Sequence, residues 1–221
     1  MAVQDDIREL AQIELFGLEK PHGEGRSGID AILKLDNGEE IPFELKSTTD
    51  GSVTTARDFG HDHIEKWRNK HFLISKFSKT GAAIEYTIYG GPLKMEPWIK
   101  LKEDYIKPDY IISTLAPQQL GLSDLFAVVG EKELYTLQDA KNLQKKQYSQ
   151  VKYQELMDLE GGYSQGRMLA ILKERCEYLL KRGSTLNNPH ISKKYFEDWD
   201  QITSNHTAEL KRLVEAYLSN A

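Results

Sequence analysis

The stretch GIDAILKLDNGEEIPFELKST, from Gly28 to Thr48, constrains the fold more than any other part of the chain. It contains two apolar, β-prone segments on either side of the turn sequence Asp36-Asn37-Gly38. A three-residue loop with Gly38 in the left-handed conformation suits these residues. That loop places Asp30 directly opposite Glu44, so the sequence predicts an antiparallel hairpin in this register.

In this register three ionisable side chains share one face of the hairpin, because Glu44 and Lys46 are two residues apart and Asp30 opposes Glu44. Neighbouring carboxylates repel when partly buried, unless a cation lies between them. Carboxylate oxygens are ligands of Mg²⁺, and a lysine stabilises developing negative charge. Asp30, Glu44 and Lys46 are therefore predicted to catalyse metal-assisted phosphodiester hydrolysis. The plainer alternative is a structural salt bridge on a half-exposed hairpin.

The rest of the N-terminal half predicts a mixed α/β (α+β) fold. The predicted order over residues 5–89 is αββαββ, with a first helix capped by Asp5 or Asp6 and ended by Gly17. The Gly-rich loop PHGEGRSG follows that helix. From Pro92 onward the apolar spacing is helical, and the last segment is an amphipathic helix. Its predicted apolar face comprises Leu210, Leu213, Val214 and Tyr217.

Composition limits the classes of protein that this chain can belong to. The 221 residues predict one large domain, or one domain with a sizeable insertion. The single cysteine, Cys176, allows no intramolecular disulfide, so we expect a reducing, cytoplasmic location. The N-terminus lacks signal-peptide features, and no apolar run approaches the roughly 18 residues of a membrane span. We therefore expect no membrane partner.

Charge is unevenly distributed along the chain. The formal net charge is −5, yet residues 1–60 hold 6 Lys/Arg against 13 Asp/Glu, whereas residues 141–195 hold 11 against 5. An acidic N-terminal segment and a basic segment near the C-terminus are compatible with a metal-using nuclease, and chance gives the same pattern.

Several motifs occur together in the order of a known family. GIDA, ELKS, TTARDF and HIEKWR follow one another at compatible spacing, and NNPHISKKY lies far downstream, from Asn187 to Tyr195. This set resembles the PD-(D/E)XK nuclease superfamily, and within it the PvuII-type restriction endonucleases. The similarity covers about residues 25–90 and 185–198, less than half of the chain.

The resemblance implies a restriction-endonuclease-like central mixed sheet flanked by helices, with an inserted helical subdomain. It implies a nuclease core at 1–110, the insertion at 111–182, and a DNA-contacting segment with the C-terminal helix at 183–221. The implied catalytic residues are Asp30, Glu44 and Lys46, with Mg²⁺ held by the two carboxylates and the Leu45 carbonyl. No organic cofactor is implied.

The resemblance also implies a homodimer bound to double-stranded DNA. The residues that it places against DNA are Thr54, Thr55, Arg57, Asp58, Asn187, Asn188 and His190. Arginine reads guanine with two hydrogen bonds, aspartate accepts from cytosine, and asparagine reads adenine. The plainer alternatives are a solvated Arg57–Asp58 pair and a turn before Pro189.

Two departures from the family pattern concern function. Arg57-Asp58 replaces the tandem histidines of the relatives, which indicates a different target sequence. Trp67 replaces their active-site tyrosine and has no hydroxyl to orient water. His61 and His63, near a helix start, are interpreted as capping or surface residues.

These observations together predict a Mg²⁺-dependent type II restriction endonuclease that cuts a short palindromic site as a homodimer. The two-fold symmetry of a dimer would match that of the site. The alternatives are a structure-specific nuclease of DNA repair or recombination, and a DNA-binding module without hydrolytic activity.

Overall fold

The computed structural model describes residues 4–21 and 28–220 of the chain. The predicted Gly-rich loop falls mainly on residues 22–27, which lie outside the described residues. The chain divides into two compact units, one of Met1–Glu103 with Leu186–Ala221 and one of Asp104–Thr185. The divisions predicted from sequence were after residues 110 and 182.

The first unit is built on a five-stranded mixed sheet of order β1-β2-β4-β5-β7. The β2–β4 pair is parallel and the other neighbouring pairs are antiparallel. Its strands are β1 (Ala31–Lys34), β2 (Glu40–Thr48), β4 (His71–Phe77), β5 (Ile84–Gly90) and β7 (Asp200–Ile202), and a separate two-stranded sheet pairs β3 (Val53–Thr54) with β6 (His190–Ile191). A mixed sheet flanked by helices was predicted and is confirmed at that level.

The helices alternate with strands before Pro92 and predominate after it, as predicted. They are α1 (Gln4–Phe16), α2 (His61–Arg68), α3 (Pro92–Leu115), α4 (Leu122–Val129), α5 (Leu137–Leu143), α6 (Gln150–Glu155), α7 (Gln165–Gly183) and α8 (His206–Leu218). The predicted order αββαββ is confirmed, apart from the added two-residue strand β3. Strands β3, β6 and β7 were not predicted.

The first helix ends where the sequence predicted but does not begin there. Gly17 has φ +63°, and Leu18 N donates to Ile13 O at 3.0 Å, which is the bonding of a glycine C-cap. The predicted cap is wrong, because Asp5 and Asp6 both lie inside a helix that already includes Gln4.

One face of the sheet packs against α1 and α8. Side chains of β1, β2, β4 and β5 meet those of the two helices in one buried cluster, which includes Phe16, Phe43, Leu45, Leu73 and Leu210. Leu213 and Val214 are also buried there, as predicted, whereas Tyr217 is half-buried. Burial of these apolar side chains is the main favourable term that holds both helices on the sheet.

The opposite face carries an aromatic cluster. Phe72 follows the strand alternation away from Leu73 and lies 5.4 Å from Trp67, measured between ring centroids. Trp67 in turn contacts Phe59 at 5.0 Å and Trp98 at 5.7 Å. Edge-to-face and tilted ring pairs of this kind add packing energy to the area that they bury. The cluster packs beside the hairpin face that carries Glu44, because Glu44 lies opposite Phe72 in the β2–β4 pair.

The second unit is helical and has its own core, which includes Leu125, Tyr135, Tyr153, Tyr163 and Met168. Three of its helices, α5, α6 and α7, begin at hydroxyl caps, since Thr136, Ser149 and Ser164 accept from the backbone N–H three residues later. The predicted end of α7 at Gly183 is confirmed. Within the described parts of both units, no helix combines the length and apolar character that crossing a bilayer requires.

Candidate active site

The hairpin has the predicted register. Ala31 pairs with Phe43, and the three-residue loop closes with Leu35 N donating to Glu39 O at 2.9 Å. Gly38 has φ +86°, the left-handed conformation that this loop requires. Continuing the register by one residue sets Asp30 opposite Glu44.

The carboxylate of Asp30 is tied to the neighbouring strand. Its Oδ2 accepts a hydrogen bond from Leu45 N at 2.9 Å, and its own backbone N donates to Phe43 O at 3.2 Å. The side chain is thereby aimed along the β2 strand toward Lys46. This contact fixes the position of the carboxylate, and among the described residues no hydrogen bond is made to its other oxygen, Oδ1.

Glu44 is held between two lysines. Lys46 Nζ lies 2.6 Å from Oε1, and Lys70 Nζ lies 2.8 Å from Oε2. Glu44 is only 7% exposed and Lys70 only 5%. Lys70 also donates to Gly28 O at 3.3 Å. Each carboxylate oxygen therefore has its own ammonium partner, in a setting that water hardly reaches.

The electrostatics differ between the two carboxylates. Burial and the charge of Glu44 raise the pKa of Asp30 above its ordinary value, against the opposing pull of Lys46 and Lys70. Burial also acts to raise the pKa of Glu44, but Lys46 and Lys70 together outweigh it and the pKa is lowered. The pKa values of two neighbouring carboxyl groups are thus shifted in opposite directions, which is typical of functional sites.

Lys46 is a charged group at neutral pH. Burial acts to lower its pKa, but Glu44 and Asp30 outweigh that effect and the pKa is raised. Its Nζ lies 5.5 Å from the centre of the Trp67 ring, within cation–π range. Trp67, which replaces the tyrosine of the resembled family, therefore contributes a buried aromatic face to the site.

Lys70 is the site residue that sequence reasoning missed. It follows α2 in the sequence WRNK and has the pattern of an exposed cation after a helix. Its proximity to Glu44 comes from the parallel pairing of β2 with β4, in which Glu44 lies opposite Phe72. Lys70 precedes Phe72 by two residues, so both face the same side.

A cleft of about 570 Å³ opens on this site. Predicted catalytic and predicted DNA-binding residues line it together: Asp30, Leu45, Lys46, Thr54, Thr55 and His190. Glu9 and Gln12 of α1 also contribute to its wall. The structure therefore brings members of both predicted sets to one cavity, although they lie up to 160 positions apart in sequence.

The small β3–β6 sheet joins the two segments that resemble the family's DNA-contacting motifs. Thr54 pairs with His190, and their Oγ1 and Nε2 atoms are 3.4 Å apart. Thr55 N donates to Pro189 O at 3.1 Å. Thr54 and His190 are exposed, whereas Thr55 is buried. The two predicted segments thus form one ribbon.

Arg57, Asp58, Asn187 and Asn188 lie further along the same ribbon. Reciprocal hydrogen bonds of 2.8 Å between Phe59 and Leu186 close its far end, so these four residues lie between two bonded positions. All four are exposed, and none of them lines the cleft. Asp58 and Asn188 have φ of 54° and 43°, which places both in turns. The alternative Arg57–Asp58 salt bridge is not formed among the described residues.

The donors of this site are oxygen atoms, which suit a hard divalent cation such as Mg²⁺. Among the described residues, no group of three or more His, Cys, Asp or Glu is placed to hold a metal ion. Two carboxylates and a backbone carbonyl still fit Mg²⁺, which keeps several waters and takes one or two carboxylates. Burial first, and then the charge of Glu44, raises the pKa of Asp30, and a cation beside the two carboxylates would offset both effects. Asp30, Glu44 and Leu45 are therefore a chemically suitable set.

Of the two histidines near the start of α2, His63 caps the helix as predicted. Nδ1 of His63 is 3.5 Å from Gly60 N, at the start of α2, and its ring stacks on Phe59. Burial lowers the pKa of His63, so its ring is neutral at pH 7. His61 is exposed.

No protein-family model matches this sequence, and no curated protein shows significant similarity to it.

Proposed function

We propose that this chain is a Mg²⁺-dependent type II restriction endonuclease with a restriction-endonuclease-like core, acting on double-stranded DNA as a homodimer. The observation that carries the proposal is the hairpin register, which sets Asp30 opposite Glu44 beside Lys46 at a polar cleft. The β3–β6 ribbon supports it, because residues suited to base reading lie on one exposed edge of the same unit.

The proposed mechanism is hydrolysis of a phosphodiester by water. Mg²⁺, held by Asp30, Glu44 and the Leu45 carbonyl, would supply an activated water nucleophile and neutralise negative charge on the phosphate. Water attacks phosphorus in line, the bond from phosphorus to the leaving sugar oxygen breaks, and that oxygen leaves with a proton. Because the pKa of Lys46 is raised, Lys46 acts here as a cation that stabilises charge and not as a base.

The other residues position these groups. The hydrogen bond from Leu45 N holds the Asp30 carboxylate, and Lys70 holds Glu44. The Trp67 ring limits the positions that the Lys46 ammonium can take. Such preorganisation is the main contribution a protein makes to reactions of this class.

Sequence reading is proposed for the exposed ribbon. Arg57 has the side chain best suited to guanine, and Asn187 or Asn188 suits adenine. Thr54, Thr55 and His190 line the cleft and would contact the nearby backbone or base edges, while Asp58 would accept from cytosine. A homodimer would present the set twice, once to each half of a palindrome.

The test is digestion of a sequenced plasmid by the pure protein with Mg²⁺, followed by mapping of the ends. We expect double-strand cuts at one short palindrome, no cutting by Lys46→Ala, and normal cutting by Lys34→Ala, whose lysine forms an exposed pair with Glu19. Cutting confined to branched or flapped DNA would favour a repair nuclease. Duplex binding that Mg²⁺ does not convert into cleavage would favour a non-catalytic module.

A further inference from the structure

Lys70 is a buried cation that holds Glu44 and takes part in no step of the proposed reaction. Its Nζ is fixed by Glu44 Oε2 at 2.8 Å and by Gly28 O at 3.3 Å, and its side chain is 7% exposed. It does not line the cleft. A charge held in this way cannot turn toward solvent or toward a substrate without breaking both contacts.

Lys46 differs from Lys70 in this respect. Its side chain is 22% exposed and lines the cleft, and its one hydrogen bond within the described part of the chain is to Glu44 Oε1. Lys46 can therefore leave Glu44 and turn toward a phosphate in the cleft, whereas Lys70 stays. The two lysines are one movable and one fixed positive charge on the same carboxylate.

The charges of the site balance when no other ion is present. Asp30 and Glu44 supply two negative charges, and Lys46 and Lys70 supply two positive charges. A divalent cation that enters this balanced site leaves it with a net charge of +2 at low local dielectric, which is unfavourable. Anionic phosphate in the cleft would offset that charge.

We propose that Lys70 is a positioning residue whose fixed charge makes divalent-cation binding at Asp30 and Glu44 depend on bound DNA. The inference rests on the proposed function. Lys70 keeps Glu44 in place and keeps the site neutral, so that the cation binds weakly until phosphates enter. A purely structural role for Lys70 makes the opposite prediction, since loosening Glu44 would weaken cation binding.

The test measures Mn²⁺ binding by the electron paramagnetic resonance signal of free Mn²⁺, with and without a mixed-sequence duplex and with a duplex-only blank. Without DNA, Lys70→Gln should bind Mn²⁺ about tenfold or more tightly than the wild-type chain, because a nearby positive charge is gone. Lys70→Arg should restore weak binding. Lys34→Gln, a matched exposed lysine, should behave as wild type.

The wild-type chain provides a second measurement that needs no variant. Its Mn²⁺ affinity should rise about tenfold or more when the duplex is added, whether or not Lys70→Gln folds. Three results would each overturn the role of Lys70 and leave the nuclease proposal standing. They are equal Mn²⁺ affinity of the wild-type chain with and without DNA, no gain in Mn²⁺ affinity in a folded Lys70→Gln, and tight Mn²⁺ binding by Lys70→Arg without DNA. Absence of Mn²⁺ binding even with DNA would overturn the proposed function itself.

Discussion

Removing the charge of Glu44 should lower the stability of the fold, whereas removing the charge of Asp30 should raise it. Glu44 is buried between two ammonium groups at 2.6 and 2.8 Å, so Glu44→Gln leaves Lys70 without its counter-charge. Asp30 is the carboxylate whose pKa is raised by burial and by Glu44, so Asp30→Asn removes an unfavourable buried charge. Asparagine keeps an oxygen for the Leu45 N–H, which preserves the local hydrogen bond.

The magnitudes follow from these contacts. A unit-charge pair at 2.8 Å gains on the order of 6 kcal/mol at an effective dielectric of about 20, most of which offsets dehydration. Breaking a buried pair by removing one partner costs about 3–5 kcal/mol. Lys46 can turn to the cleft, so only Lys70 is stranded, and we expect a loss of about 3 kcal/mol for Glu44→Gln. Asp30→Asn should gain about 1 kcal/mol, within the range of common stabilising substitutions.

The assay is thermal and urea unfolding at pH 7 with EDTA, followed by circular dichroism. In a chain of this size about 1 kcal/mol corresponds to roughly 2–4 °C, so Glu44→Gln should lower Tm by about 6–12 °C and Asp30→Asn should raise it by about 2–4 °C. Both variants should lose cleavage. Equal stability of wild type and Glu44→Gln, or a loss in Asp30→Asn similar to that in Glu44→Gln, would refute this account of the site.

Three further predictions concern specificity, pH and assembly. Arg57→Ala should weaken binding to the specific duplex in Ca²⁺ by about 1–3 kcal/mol per half-site, while binding to a scrambled duplex changes little. Equal weakening on both duplexes would make Arg57 a phosphate contact. Burial lowers the pKa of His71 from 6.5 to about 4, so neutral His71 contributes stability that is complete above pH 6.5 and is lost as pH falls toward 4. That contribution is about 3 kcal/mol for this 4% exposed residue. The free energy of unfolding measured in urea should therefore fall with pH across this range in the wild type and not in His71→Gln. An equal fall in both would show that another group titrates there. Sedimentation should give about twice 25.3 kDa, and a strict monomer that cuts both strands in one encounter would argue against the dimer.

The hairpin and the C-terminal helix could be predicted because their signals are local. Asp36-Asn37-Gly38 specifies one loop length, and the loop length then determines which residue opposes Glu44. The apolar spacing of Leu210, Leu213 and Val214 predicts their burial in the same local way. In each case a few neighbouring residues contain all the information that the prediction needs.

Strands β6 and β7 and the position of Lys70 have no such local signal. A two-residue strand such as His190–Ile191 exists only because Val53 and Thr54 are available to pair with it, about 136 positions away. Asp200–Ile202 is a strand because β5 offers an open edge. Lys70 reaches Glu44 through a parallel pairing, whose register is not set by any turn.

The position of Lys70 bears on how folding and metal binding are related in this protein. A buried pair of carboxylates would ordinarily oppose folding unless a cation lay between them. Here Lys46 and Lys70 already satisfy both oxygens of Glu44, and Leu45 N satisfies one oxygen of Asp30. The first unit can therefore fold with its candidate catalytic face complete, and the remaining strain is concentrated on Asp30, the carboxylate with the raised pKa. Charges that belong to the chain hold the candidate site in its arrangement, so a divalent cation of the proposed kind would only have to bind there and would not have to organise the site.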